Sequence, residues 1–161
     1  MAESSLRAAR PAAKGGVPNV LFAVAAAERP PAELRGRVDE VSILFPWGSL
    51  LRGVLALDAE AAAGIAALLA PAGHVEALIS VADRDSAALG VRPLTGNERA
   101  EIARRWQDFG LELAELRPAA ASEIAATGST WAKRLRAGGR RSDRPVWRIG
   151  LRCGGAVDGL D

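Results

Sequence analysis

Cysteine, histidine and tyrosine are almost missing from this 161-residue chain, which has one Cys (Cys153), one His (His74) and no Tyr. A single Cys closes no internal disulfide, and one Cys with one His cannot complete a structural zinc site. No Ser-His-Asp order, P-loop or GxGxxG string occurs either. Redox, metal and proton-relay chemistry are left without residues, and no metal is expected. No apolar run approaches the roughly 18 residues that span a bilayer. The N-terminus lacks the apolar stretch of a signal peptide, so a cytoplasmic protein with no membrane partner is expected. What remains is 49% apolar, and at this length roughly 70% of the unfolded chain's surface can be buried. Residues 1–161 are therefore read as a single domain.

Net charge is only +2, from 21 Lys and Arg against 19 Asp and Glu, but it is unevenly spread. Between Trp131 and Arg152 lie Lys133, Arg134, Arg136, Arg140, Arg141, Arg144, Arg148 and Arg152, opposed by Asp143 alone. Such a run either meets a polyanion or forms a solvated face, and charge by itself leaves both open.

Hydrophobic patterning predicts an α/β sheet, mostly parallel with an antiparallel edge. Met1 to Pro18 reads as a helix tail and a turn. Asn19–Ala27 (NVLFAVAAA) is the continuous apolar run of a strand buried on both faces. Val38–Phe45 is a second strand, stopped by Pro46. Trp47–Leu57 begins a helix or tight turn, and Asp58–Leu69 is a helix with Asp58 as its N-cap. The PAGH segment turns the chain into a third strand, His74–Val81. Thr95 to Glu98 has capping-box spacing before a helix with Ile102, Trp106 and Phe109 on its apolar face, ended by Gly110. Leu111–Leu116 reads as a strand, Ala121–Ala126 and Ser129–Arg136 as short helices, and Val146–Arg152 as the last strand.

In an open parallel sheet, ligands bind beyond the carboxyl ends of the strands. Ala27-Glu28 closes the first strand, and Phe45-Pro46-Trp47-Gly48-Ser49 closes the second. Trp47 either faces a cleft there or plugs the top of the core. Trp131, in GSTWAKRL, adjoins the basic run, and an aromatic ring beside Arg and Lys suits a nucleobase whose phosphates the cations hold. Trp106 and Trp147 sit at core spacing and read as structural. His74 reads as an incidental residue beside a turn.

The string Phe45 to Leu55, FPWGSLLRGVL, resembles the ribosomal RNA methyltransferases that confer aminoglycoside resistance by modifying N1 of adenine 1408 in 16S rRNA. The resemblance continues in KGGVPN at Lys14 to Asn19, AER at Ala27 to Arg29 and STWAKRL at Ser129 to Leu135. It implies a Rossmann-like methyltransferase fold, S-adenosylmethionine as cofactor, and the 30S subunit with its 16S rRNA as partner of a monomer. On matching positions, Trp47 and Trp131 would stack on the two faces of a flipped adenine, with Glu28 at the active-site rim. Ser49 and Ser129 would lie near the amino-acid end of the cofactor, and Ala27, Glu28 and Leu44 along its adenosine side. Arg7, Arg10 and Lys14 would contact rRNA phosphates, as would Lys133, Arg134, Arg136, Arg140 and Arg141 within a basic loop and helix over residues 128–145. Gly139 stands where the family carries a second Arg of that loop, with Arg140 beside it.

Adenine N1 is unprotonated at neutral pH, so methyl transfer to it needs alignment and no general base. The chain departs from the family in lacking the Gly-rich turn after a first strand and the acidic end of a second. The resemblance thus implies that the first strand-helix-strand unit, roughly 30 or more residues, is missing. Strand edges would then lack neighbours, and half a cofactor pocket would bind weakly. Two alternatives stand beside the enzyme: a truncated, catalytically inactive RNA-binding remnant, and a plain α/β domain whose Trp and Arg residues are structural.

Overall fold

A computed structural model describes residues 19–135 and 145–154. Four strands form one sheet in the order β1-β2-β4-β3, with β1 at Val38–Leu44, β2 at Leu69–Ile79, β3 at Leu111–Pro118 and β4 at Trp147–Cys153. β1 runs parallel to β2, while β4 is antiparallel to both β2 and β3. Helices α1 (Gly48–Val54) and α2 (Ala59–Leu68) join β1 to β2, and α3 (Asp83–Leu89) and α4 (Arg99–Gln107) lead to β3. Two short helices, α5 (Ala121–Ala126) and α6 (Thr130–Leu135), follow β3.

Alternation along the strands decides which face is covered. Val75, Ala77 and Ile79 of β2 and Ile149 and Leu151 of β4 are at most 1% exposed. They share one core with Leu51 and Val54 of α1, Ile65 of α2, and Ile102 and Trp106 of α4. Trp106 is fully buried, its indole N–H donates to the Val54 carbonyl at 3.0 Å, and its ring meets Phe109 edge-on. Both core Trp readings hold, since Trp147 is buried in the same cluster.

Glycine sets how closely the pieces approach. A Cβ on Gly53 would lie 2.6 Å from the Ala61 Cβ, so α1 and α2 can touch as they do only with Gly at that position. Asp58 caps α2 as expected, accepting the Ala61 N–H at 3.2 Å. It also takes the Arg52 guanidinium at 2.9 Å.

Several expectations need correction. Asn19–Ala26 is not a strand: it pairs with nothing among the described residues, and Leu21 and Val24 are 91% and 88% exposed. An apolar run becomes a strand only where a neighbour takes its hydrogen bonds. PAGH is not a turn but an irregular part of β2, where five residues on β2 face two on β1. The backbone there is tight enough that a Cβ on Gly73 would lie 2.7 Å from the Val38 carbonyl oxygen. Helix α3 has no counterpart among the predicted elements; DRDSAAL buries only Leu89 and so carries no apolar periodicity. At Thr95 the box is only half made. The Glu98 carboxylate accepts the Thr95 and Gly96 N–H groups at 3.0 Å each and the Thr95 hydroxyl at 2.9 Å, while that hydroxyl accepts the Asn97 N–H and not the Glu98 N–H that a full box requires.

Candidate functional site

The chain leaves β1 through an unusual turn. Phe45 has φ 51, a left-handed torsion that costs a side-chain-bearing residue roughly 1–2 kcal/mol. Its N–H still donates to the Leu78 carbonyl at 2.8 Å. Pro46 is buried, Trp47 is extended, and Gly48 opens α1 with φ +61. The result is a Trp47 ring 53% exposed at the carboxyl end of β1. A large exposed apolar ring on an anchored turn favours the cleft-facing reading over the core plug.

Glu28 and Ser49 come together beside it. The Ser49 hydroxyl beside the Glu28 carboxylate is the leading reason that its pKa lies below the usual glutamate value. Glu28 gets there because Ala27 rests directly on α2: a Cβ on Gly64 would lie 1.8 Å from the Ala27 carbonyl oxygen and 3.3 Å from Pro30. An interior glycine in the Ala-rich helix AEAAAGIAAL was the available signal for this approach. Leu44 points to the face opposite Ile43, is 44% exposed, and borders a cavity of about 320 Å3.

Ser129 caps α6, its Oγ accepting the Ala132 N–H at 3.2 Å, and its own N–H is held by Thr127. With the cap made through a lone pair, the Ser129 hydroxyl proton remains available to an acceptor. Trp131 belongs to α6, as does Lys133, which is exposed. A second apolar cluster joins these parts, for Phe45 packs with Leu78, Ile124, Ala132 and Val146. Phe45 and Ala132 thus bring the Trp47 turn and the backbone that carries Trp131 into one neighbourhood. The side chains of Trp131 and Arg134, and the whole of Arg7, Arg10, Lys14, Arg136, Arg140 and Arg141, lie outside the described residues.

One cation of the basic run is spent inside the fold. Arg148 pairs with Glu76, Glu115 and Glu123, and Arg117 with Glu115 and Glu123. These five charges tie β2, β3, β4 and α5 together. His74 stays remote from this site, with Glu40 at 3.9 Å and Arg152 opposite it in the β2–β4 register. No cluster of His, Cys, Asp and Glu fit to hold a metal occurs among the described residues.

A family model described as NpmA, 16S rRNA (adenine(1408)-N(1))-methyltransferase, matches residues 1–148. The chain belongs to this methyltransferase family. The 16S rRNA (adenine(1408)-N(1))-methyltransferase of Streptoalloteichus hindustanus is 39% identical over 147 residues, covering 89% of this chain and 67% of that protein. The Escherichia coli protein of the same name is 32% identical over 135 residues, covering 80% of this chain and 62% of its own. The chain thus spans about two thirds of the length of these relatives. Among solved structures, the aminoglycoside resistance methyltransferase NpmB1 superposes with a TM-score of 0.72 at 36% identity, covering 94% of this chain and 69% of its own. A mutant of the Catenulisporales acidiphilia enzyme with cosubstrate SAM gives a TM-score of 0.78 at 29% identity, covering 99% of this chain and 73% of its own. The α/β methyltransferase fold follows from these superpositions; β1, β2 and β3 run one way, and the antiparallel strand, β4, lies between β2 and β3 and not at the expected edge.

The side chains of Glu28, Ser49 and Ser129 fit S-adenosylmethionine chemically. An ionised Glu28 suits a cation, and the Ser49 and Ser129 hydroxyls suit the amino-acid end. Helices long and apolar enough to cross a membrane are absent among the described residues.

Proposed function

We propose that this chain methylates N1 of adenine 1408 in the 16S rRNA of the 30S subunit, with S-adenosylmethionine as donor, and thereby confers aminoglycoside resistance. The observation that carries this reading is the match to the family over residues 1–148. The exposed Trp47 ring supports it independently.

Held by Glu28, Ser49 and Ser129, S-adenosylmethionine would supply an electrophilic methyl group on a sulfonium; its transfer to the adenine N1 lone pair would break the S–CH3 bond and leave S-adenosylhomocysteine. The chain's task is to bring the base out of its stack and aim it, since N1 lies on the edge that pairing hides. Extrusion costs a few kcal/mol, and stacking on Trp47 and Trp131 returns about 1 to 3 kcal/mol per ring. Glu28, kept ionised by Ser49, favours the cationic side of the donor. Lys133 and the cations of residues 128–145, together with Arg7, Arg10 and Lys14, hold phosphates and give the salt-sensitive part of the affinity. The protein works as a cytoplasmic monomer without metal.

Affinity for S-adenosylmethionine is expected to be weak. Ala27 and Glu28 are half-buried and Leu44 is exposed, whereas tight small-molecule sites bury most of the ligand's surface. Micromolar binding by calorimetry would contradict this.

The test is primer extension on 30S subunits incubated with the chain at millimolar S-adenosylmethionine. A stop at adenine 1408 is expected, and Trp47→Ala should abolish it while leaving the melting temperature unchanged. Binding to 30S without any stop would favour the inactive RNA-binding alternative.

A further inference from the structure

We infer that Phe45 is a positioning residue: its ring crosses the sheet to lock the Trp47 turn against helix α6, so that the two Trp-bearing segments move as one unit. The inference deepens the reading of Trp47 and Trp131 as the pair that holds the base.

Strand geometry makes the position of Phe45 unexpected. Leu44 pairs with Leu78 in the β1–β2 register, and Ile43 belongs to the main core with Ala77 and Ile79. Side chains two apart on a strand share a face, so a regular continuation would send Phe45 to the side of Ile43. It packs instead in the second cluster, with Leu78, Ile124 of α5, Ala132 of α6 and Val146. The left-handed torsion at Phe45 produces this change of side. A bulky residue adopts such a torsion only where its surroundings over-determine it. Here the Leu78 carbonyl fixes the Phe45 N–H, and the cluster takes the ring until only 6% is exposed.

Each segment would be loosely held without this ring. Helix α6 has six residues and α5 has six, too few for either to be stable by itself. The turn consists of Phe45, Pro46, Trp47 and Gly48, and Trp47 has half its ring in solvent. Phe45 is the member of the cluster contributed by that turn, and Ala132 the member contributed by α6. The ring that anchors Trp47 two residues away thus shares its cluster with Ala132, the neighbour of Trp131.

The test labels the chain with 5-fluorotryptophan and assigns its four Trp resonances by single Trp→Phe replacements. In Phe45→Leu, the fluorine signals of Trp47 and Trp131 should both move or broaden, while that of Trp106 stays in place and reports an intact core. Ile124→Val alters the cluster from α5, outside both Trp-bearing segments, and should move the same two signals by less. Movement of Trp47 alone in Phe45→Leu, or of neither ring in Ile124→Val, would overturn the proposal. If Phe45→Leu fails to fold, Ile124→Val decides the matter. In the methylation assay Phe45→Leu should lower kcat by about 10- to 100-fold, with the 30S Kd changed less than about twofold. The fluorine readout needs no substrate, so the coupling can stand even if the proposed reaction fails.

Discussion

Two apolar runs of similar composition meet opposite fates here. His74 to Ile79 lies between β1 and β4, hydrogen-bonded on both sides, and Val75, Ala77 and Ile79 are sealed from water. Asn19 to Ala26 is no less hydrophobic, yet it pairs with nothing among the described residues and leaves Leu21 and Val24 almost fully in solvent. The contrast teaches that a strand is a property of a pair of segments. Hydrophobicity makes a run fit to be covered, and the neighbour decides whether it is.

The comparison can be broken most forcefully at Trp106. Trp106→Ala empties the centre of the well-covered half and orphans the Val54 carbonyl, so a loss of about 3–5 kcal/mol is expected. A large fall in the urea midpoint would register it. Gly64→Ala tests the junction between the two regions. The added methyl must push Ala27 off α2, and overpacking of this kind costs about 1–3 kcal/mol despite the better helix propensity. Limited proteolysis should then cut more readily between residues 19 and 28, and the Glu28 carboxyl should return towards its ordinary pKa as it leaves Ser49.

Acid sharpens the contrast by acting on the paired half. Arg117 holds the Glu123 carboxyl down to about 2, well under its ordinary 4.5. A lowered pKa stabilises the fold above the unfolded value, and that stability is lost as pH falls from about 4.5 towards 2. Thermal melts of Arg117→Gln should therefore show a flatter pH dependence across this window than the parent chain. The smallest effect is expected in the uncovered run. Leu21→Ser or Val24→Ser should change stability by no more than about 0.5 kcal/mol while reducing aggregation seen by light scattering, since these side chains already face water.

Local signals were legible where they acted locally. The Asp58 cap, the helix carrying Ile102 and Trp106, the stop at Gly110 and the final strand all follow from neighbours within a few positions. FPWG left open whether Trp47 faces outward or plugs the core, and the exposure of Trp47 speaks against the plug. The side on which Phe45 lies was illegible, because it depends on Leu78, Ile124 and Ala132, which reach it only through the tertiary fold. For the same reason a count of cations between Trp131 and Arg152 overstates what is free to meet RNA. Arg148 is neutralised by carboxylates from β2, β3 and α5, scattered across the sequence. The strand expected at Asn19–Ala27 failed because periodicity describes one segment, while pairing needs two.

The bare Cα of Gly64 has a consequence for how such a protein tolerates change. Its position is on a helix that carries neither the exposed indole nor either serine, yet no side chain can grow there without lifting the Ala27 carbonyl away. A saturation library selected for drug resistance should therefore show a forbidden column at this codon, as barren as one beneath a catalytic group. Inventories that equate intolerance with contact would misassign it to the active site.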